Sequence, residues 1–178
     1  MINIEERVQK AKQLFKEGGY NCCQAVVLAY NDIFSIDDAT AAALSSGFGG
    51  GMGRMREVCG SVSGMVLIAG LLKPATDPSD KNARTENYAL VQEVAAEFKA
   101  LNGSIICKDL LSLTSCNAPA GNGFHGIPES PVPSDRTPEY YKKRPCEELV
   151  GISARIIGEK ILQLRSVIDE AAEKNEKE

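Results

Sequence analysis

The sequence predicts an all-α protein, a single-domain multi-helix bundle of about five to seven helices that spans residues 1–178. Apolar residues recur at helical spacing in several segments, and these segments are bounded by helix-capping and helix-stopping residues. No segment of useful length alternates apolar and polar residues as a half-buried strand does, and no hairpin signal is present. A chain of 178 residues is long enough to bury a sizeable core in one domain.

The first two predicted helices are separated by a pair of glycines, which act as a stop signal. Apolar positions are helically spaced over Ile4–Lys16. Asn21 is a good N-cap for the second helix, which we expect to continue to Ile33. Cys22 and Cys23 therefore fall in the first turn of that helix.

A glycine-rich loop over 47–53 follows a short helix that begins near Asp37. The apolar run over 62–72 is too short to span a bilayer, so it is interpreted as a buried helix. Cys59 lies where the loop meets this helix. Small residues give the helix a face for close packing, and they are Gly60, Ser61 and Gly64.

The second half of the chain continues the helical pattern over 82–101. Ser104 can cap a short helix that carries Cys107. The last helix begins near Pro145 and Cys146, because proline is favoured at the first helical position, and a long apolar stripe follows.

A Pro/Gly-rich segment at about 115–138 is the longest irregular stretch. It contains Cys116 and His125. A loop of this length is either a lid over a site or a surface excursion.

Composition excludes several classes of function. A net charge of −4 and the absence of tryptophan argue against nucleic-acid binding. No apolar run is long enough for membrane insertion, and residues 1–7 lack the features of a signal peptide. We therefore expect a cytoplasmic protein, in which thiols stay reduced. The single histidine provides little for a His-rich metal site or a Cys/His hydrolase.

Four of the six cysteines fall near predicted helix starts, and they are Cys22, Cys59, Cys107 and Cys146. A thiol at a helix N-terminus has a lowered pKa and is more often the thiolate that attacks disulfides or binds metals. Basic residues near these cysteines in the sequence could add to the effect: Arg54, Arg56, Lys108 and Arg144. There is no Cys-x-x-Cys pair, so spacing alone gives a weak metal signal.

The segments around these cysteines resemble the C_GCAxxG_C_C family of redox-active proteins. They are Gly18-Gly19-Tyr20-Asn21-Cys22-Cys23-Gln24-Ala25-Val26, Gly49-Gly50-Gly51-Met52-Gly53, Cys59-Gly60-Ser61-Val62-Ser63-Gly64, Cys107-Lys108-Asp109-Leu110-Leu111 and Cys146-Glu147-Glu148-Leu149-Val150. The resemblance implies that Cys22, Cys59, Cys107 and Cys146 are the four family cysteines. Ser61 stands where the family usually has alanine, and Cys23 and Cys116 are outside the pattern.

The resemblance implies redox activity with a redox partner that the sequence does not identify. The helical part of split-Soret cytochromes, which carries an iron–sulfur centre, is similar to this family. The first hypothesis is therefore an iron–sulfur cluster held by the four family cysteines as metal ligands and redox-active groups. Backbone N–H groups of four glycines would tune its potential, and these are Gly50, Gly51, Gly53 and Gly60. Without a Cys-x-x-Cys-His motif, no covalent haem is expected.

Three alternatives stay open at this point. The first is a metal-free thiol–disulfide protein that pairs Cys22 with Cys59 or Cys107 with Cys146, with Cys23 as an alternate or resolving thiol. The second is a structural or sensor module in which the same four cysteines bind zinc. The third is a helical interaction domain in which the cysteines are small buried hydrophobes. The sequence also leaves a homodimer open.

Overall fold

The computed structural model describes residues 2–111, 130–142 and 144–175, with side chains described up to residue 166. These residues form eight α-helices: α1 (Ile4–Lys16), α2 (Cys22–Leu28), α3 (Asp38–Ser45), α4 (Gly60–Leu72), α5 (Lys81–Asn102), α6 (Cys107–Leu110), α7 (Pro138–Lys142) and α8 (Cys146–Asn175). Within the described ranges the only β-structure is one isolated bridge. The all-α prediction is confirmed.

The number of described helices exceeds the predicted five to seven. The additional helix is α7, which lies at the end of the segment that we assigned to the loop over 115–138. Its first residue is Pro138, a position where the missing N–H costs nothing. Residues 130–137, before it, are irregular as predicted. Cys116, His125 and the rest of the predicted loop lie outside the described residues.

The second helix is shorter than predicted, because α2 ends at Leu28 and a 3-10 turn over Asn31–Phe34 follows. The Asn31 side chain is buried and donates to the Ile36 carbonyl oxygen at 2.8 Å and to the Asp38 carboxylate at 2.7 Å. An asparagine that bonds to nearby groups in this way competes with helix continuation. The turn directs the chain into α3.

The core is organised around α4, which packs against α2, α5 and α8. The small-residue face predicted on α4 is present: Ser61 is fully buried, and a Cβ atom on Gly64 would lie 2.8 Å from Val26 Cβ. Glycine is therefore required where α4 crosses α2. This close approach brings the first residues of the two helices together.

Ion pairs join α1 to the first turn of α8. Lys12 Nζ lies 2.7 Å from Glu148 Oε2, and Lys16 Nζ lies 3.2 Å from Glu147 Oε2. Such solvent-accessible pairs each contribute about 0–1 kcal/mol to stability. They orient both glutamates of that turn towards α1.

A buried tyrosine connects the end of α2 to the middle of α8. The Tyr30 ring is fully buried, and its hydroxyl donates to the Ala154 carbonyl oxygen at 2.7 Å. A Cβ atom on Gly158 would lie 2.3 Å from the Tyr30 hydroxyl oxygen, so glycine makes room for it. Burial raises the pKa of Tyr30, which keeps the hydroxyl protonated as a donor.

Tyr30→Phe is expected to lower the free energy of unfolding by about 1–2 kcal/mol, because it removes this buried donor and leaves the ring in place. Urea denaturation measures the change. Tyr88→Phe is the matched control, since the Tyr88 side chain on α5 is 58% exposed. Equal urea midpoints for wild type and Tyr30→Phe would contradict a stabilising role for this hydrogen bond.

No helix in the described ranges combines the length and the hydrophobicity that a bilayer crossing requires.

Candidate functional site

Each of the four singled-out cysteines lies at the start of a helix. Cys22, Cys107 and Cys146 are the first residues of α2, α6 and α8, and Cys59 is the N-cap of α4. The predicted positions at helix starts are therefore confirmed.

The fold brings these four cysteines to one cavity of about 380 Å³. Each of the four thiols interacts electrostatically with the other three. The cavity volume falls within the roughly 300–1,000 Å³ that is common for small-molecule and cofactor sites. Cysteines from four separate parts of the chain therefore share one site.

Backbone hydrogen bonds hold Cys59 and Cys107 next to each other. The isolated antiparallel bridge lies between the residues that precede them. The Cys59 N–H donates to the Ile105 carbonyl oxygen at 2.8 Å, and the Cys107 N–H donates to the Glu57 carbonyl oxygen at 2.6 Å. The bridge thus fixes α6 against the entry to α4.

Asn21 connects Cys22 to the glycine loop. Its side chain caps α2 by accepting from the N–H groups of Cys23 and Gln24, and its amide donates to the Ser46 carbonyl oxygen at 2.9 Å. From the glycine loop, which Ser46 directly precedes, the Gly50 N–H donates to the sulfur of Cys22. The cap that starts the helix therefore also positions the loop over the cysteine.

The glycine loop contains an uncommon run of left-handed backbone. Five consecutive residues, 50–54, have positive φ angles between 56° and 72°. Glycine adopts this conformation without strain, but Met52 and Arg54 adopt it at a cost of about 1–2 kcal/mol each. Glycine density predicted a tight bend here, although it did not predict that two larger residues share the conformation.

The four glycines predicted to bind a cofactor divide into two pairs. Gly50 and Gly53 line the cavity. Gly51 and Gly60 lie behind the cysteines, where an added Cβ would come within 2.8 Å of Cys107 Cβ and 3.3 Å of Cys22 Cβ, respectively. The second pair therefore allows the backbone to pack closely against Cys107 and Cys22.

The expectation of a lowered pKa at each helix start is wrong for three of the four cysteines. Burial raises the pKa of Cys59, and it raises the pKa of Cys107 to about 11. A hydrogen bond with Cys146, together with burial, raises the pKa of Cys22. The loss of hydration in the cavity raises the pKa of these thiols by more than the helix N-termini lower it.

Cys146 is the exception among the four. Its hydrogen bond with the Cys22 thiol stabilises the thiolate and lowers the pKa of Cys146. The hydrogen-bonded sulfur pair is therefore Cys22–Cys146, which differs from both pairs that the sequence suggested.

Ser61 acts on Cys59, which the sequence did not predict. The two side chains lie 3.3 Å apart from Oγ to Sγ, and the N–H groups of Ser61 and Val62 donate to the Cys59 sulfur. Ser61 was expected only to preserve the close packing of an alanine. It also adds a polar contact to the sulfur.

The charged groups that line the cavity are all arginines. In the part of the chain that the structure describes, the lining includes no aspartate or glutamate, and its arginines are Arg54, Arg56, Arg136 and Arg144. Lys108, which is also close in sequence to a cysteine, does not line the cavity. A protein with a net charge of −4 therefore has a cationic site.

Arg136 is the lining arginine that sequence reasoning missed. It donates to the carbonyl oxygens of Phe15 at 2.6 Å and Tyr20 at 2.9 Å, and it lies over the Phe15 ring. No local motif marks it, because the cysteine nearest to it in the sequence among the four is Cys146, ten residues on.

The described end of the predicted loop forms one wall of the cavity. Pro131 and Pro133 line it, and Arg54 holds the segment by donating to the Ser130 carbonyl oxygen at 2.9 Å and the Ser134 hydroxyl at 3.3 Å. The described end of the loop therefore borders the site, while its residues 130–135 are exposed.

Cys23 belongs to the core and not to the cavity. Its side chain is fully buried in a cluster with Val27, Leu28 and Ala41. Burial raises its pKa. This environment suits a small hydrophobe and does not suit the resolving thiol that the sequence left open.

The described residues contain no ready-made ligand group for a single metal ion. No three Cys, His, Asp or Glu side chains within the described ranges converge as ligands of one ion. Tetrahedral zinc with bonds of about 2.3 Å would hold its sulfurs about 3.8 Å apart. The five cysteines in these ranges are free thiols.

Comparison with known proteins gives one family match. The family described as "Putative redox-active protein (C_GCAxxG_C_C)" matches residues 20–160, a range that includes all four cavity cysteines. No curated protein and no solved structure matches the chain.

Proposed function

The chain belongs to the C_GCAxxG_C_C family, whose description is "Putative redox-active protein", and on that premise we propose that Cys22, Cys59, Cys107 and Cys146 hold an iron–sulfur cluster. The observation that carries this proposal is the shared cavity, lined by four thiols and four arginines. Thiolates are the usual ligands of such clusters, and a bound cluster supplies one-electron transfer.

The charge of the cavity supports this proposal. Metal binding deprotonates thiols whose pKa is otherwise raised, so ligation places several negative charges in a buried site. The Arg56 guanidinium and the helix N-termini compensate for them. Arg56 does so most directly, because it hydrogen-bonds Cys107.

Hydrogen-bond donors around the sulfurs would tune the redox potential. The Gly50 N–H donates to Cys22, and the N–H groups of Ser61 and Val62 donate to Cys59. Donors and positive charges favour the more negative, reduced state, so they raise the potential.

The size of the cavity favours a cluster over zinc. A cluster distributes its ligands over several metal ions, whereas one zinc ion needs four sulfurs in contact with the same centre. The cavity volume of about 380 Å³ also exceeds the space that one ion fills. Zinc is therefore the weaker of the two metal proposals.

Purification without oxygen, followed by a visible spectrum and iron, sulfide and zinc analysis, tests the proposal. We expect bound iron and sulfide with absorbance near roughly 400 nm, from thiolate-to-iron transitions. A colourless protein that contains zinc, or no metal, would overturn it.

A second candidate is reversible disulfide formation, which the hydrogen bond between Cys22 and Cys146 supports. Oxidation would join their sulfurs and release two protons and two electrons to a disulfide oxidant, which becomes two thiols. Counting free thiols before and after treatment with oxidised glutathione tests it. The candidate requires a loss of two thiols that Cys146→Ser prevents, and an unchanged count in wild type would exclude it.

We further propose that the protein works in the cytoplasm. This location suits a site of free thiols, because cytoplasmic reductants prevent them from forming stable disulfides. The redox partner is then another cytoplasmic component.

A further inference from the structure

We propose that the cysteine cavity also binds a small organic anion, whose carboxylate pairs with the guanidinium of Arg144. This inference rests on the proposed function in that it names the ligand class of the same redox site, and it includes no chemical step. It follows from the charges of the cavity, the contacts of Arg144 and the apolar walls.

The first argument is the sign of the charge. Every charged residue that lines the cavity within the described ranges is an arginine. Positive groups in a concave, partly dehydrated site attract anions more strongly than the same groups in open solvent.

The second argument separates Arg144 from the other three arginines. Arg136 donates to two carbonyl oxygens, and Arg54 donates to a carbonyl and a hydroxyl oxygen. Arg56 hydrogen-bonds Cys107. These three guanidinium groups already have partners in the protein.

Arg144, in contrast, is half-buried, and its guanidinium has no hydrogen-bond acceptor among the described residues, although it interacts electrostatically with Cys146. The guanidinium lies over the Tyr140 ring at 4.7 Å from its centroid, which fixes its orientation. The carboxylates in the first turn of α8 do not pair with this guanidinium, because Glu147 and Glu148 form ion pairs with lysines on α1. A planar guanidinium in this state is suited to a bidentate carboxylate.

The third argument concerns the body of the ligand. Apolar residues form much of the remaining lining, and they include Leu110, Leu111, Pro131, Pro133 and Leu149. Apolar walls with a few polar groups that fix orientation are typical of sites for organic ligands. An inorganic oxyanion would leave these walls without a partner.

Isothermal titration calorimetry with benzoate tests this inference, using the full chain as purified with its iron and sulfide measured in the same sample. We expect benzoate to bind and Arg144→Gln to weaken it by about tenfold or more, because a charge-assisted bidentate pair is lost. Benzamide, the neutral analogue, and inorganic phosphate should both bind more weakly than benzoate.

Two variants act as controls in the titration. Arg155→Gln should leave benzoate binding unchanged, since Arg155 pairs with Glu5 and does not line the cavity. Arg144→Lys keeps the charge but loses the planar fork, so its affinity should fall between those of wild type and Arg144→Gln. Thermal melts would show that both Arg144 variants fold.

Equal benzoate affinity in wild type and Arg144→Gln would overturn the inference, as would equal affinity for benzamide or tighter binding of phosphate. Failure of the proposed function gives a different result. A protein without iron that binds benzoate through Arg144 would support the anion site and exclude the cluster. An iron-loaded protein that binds no benzoate would support the cluster and exclude the anion site.

Discussion

Cys22→Ser is expected to remove most of the iron and most of the visible absorbance, whereas Cys23→Ala is expected to retain both. The two cysteines are neighbours in the first turn of α2, but only Cys22 lines the cavity. Serine is a poor ligand for iron in place of a thiolate. Cys23→Ala should instead lower the free energy of unfolding by about 1–2 kcal/mol, because it leaves a small gap in the core.

The measurement is iron and sulfide per chain, with the visible spectrum, for wild type and both variants purified without oxygen. Cys59→Ser should show the same loss as Cys22→Ser, since Cys59 lines the same cavity. Full iron content in Cys22→Ser, or its loss in Cys23→Ala alone, would exclude the proposed ligand set.

Gly51→Ala is expected to lower the free energy of unfolding by about 2–4 kcal/mol, while Gly53→Ala costs about 1 kcal/mol. Both glycines have positive φ angles, 72° and 56°, so both variants have backbone strain. Only at Gly51 would the new Cβ also collide with the protein, 2.8 Å from Cys107 Cβ and from the Glu57 nitrogen. At Gly53 nothing lies within 4 Å.

Urea midpoints of the two glycine variants measure the difference, and their metal content shows its effect on the site. Because the collision involves Cys107, Gly51→Ala should also reduce bound iron, whereas Gly53→Ala should not. Equal destabilisation by both substitutions would show that backbone strain alone makes glycine necessary in this loop.

Local signals predicted most helix starts correctly, because a cap depends on residues close in the sequence. Asn21 and Asp37 each form the N-cap that their residue type suggests. The positions of the four cysteines at helix starts followed from these boundaries. The same reasoning missed α7, since five residues in a proline-rich stretch give too short a pattern to recognise.

The chemical character of the site depends on contacts that the sequence does not encode locally. The helix starts suggested thiols of lowered pKa. The pKa is instead raised for three of the four, by burial or by a hydrogen bond with a neighbouring thiol. The approach of Cys22 to Cys146 and the insertion of Arg136 both join residues more than about 100 positions apart. Only the tertiary fold creates such contacts.

The bridge between Val58 and Ile106 has a consequence for how the protein is made. It joins segments 48 positions apart, from 58 to 106, and the fourth cavity cysteine, Cys146, comes 40 positions later still. A ribosome adds about 5–20 residues per second, so the first three cysteines leave it seconds before the last. Under the proposed function, iron and sulfide would therefore be inserted only after translation has passed Cys146, and a nascent chain arrested earlier would carry an incomplete ligand set.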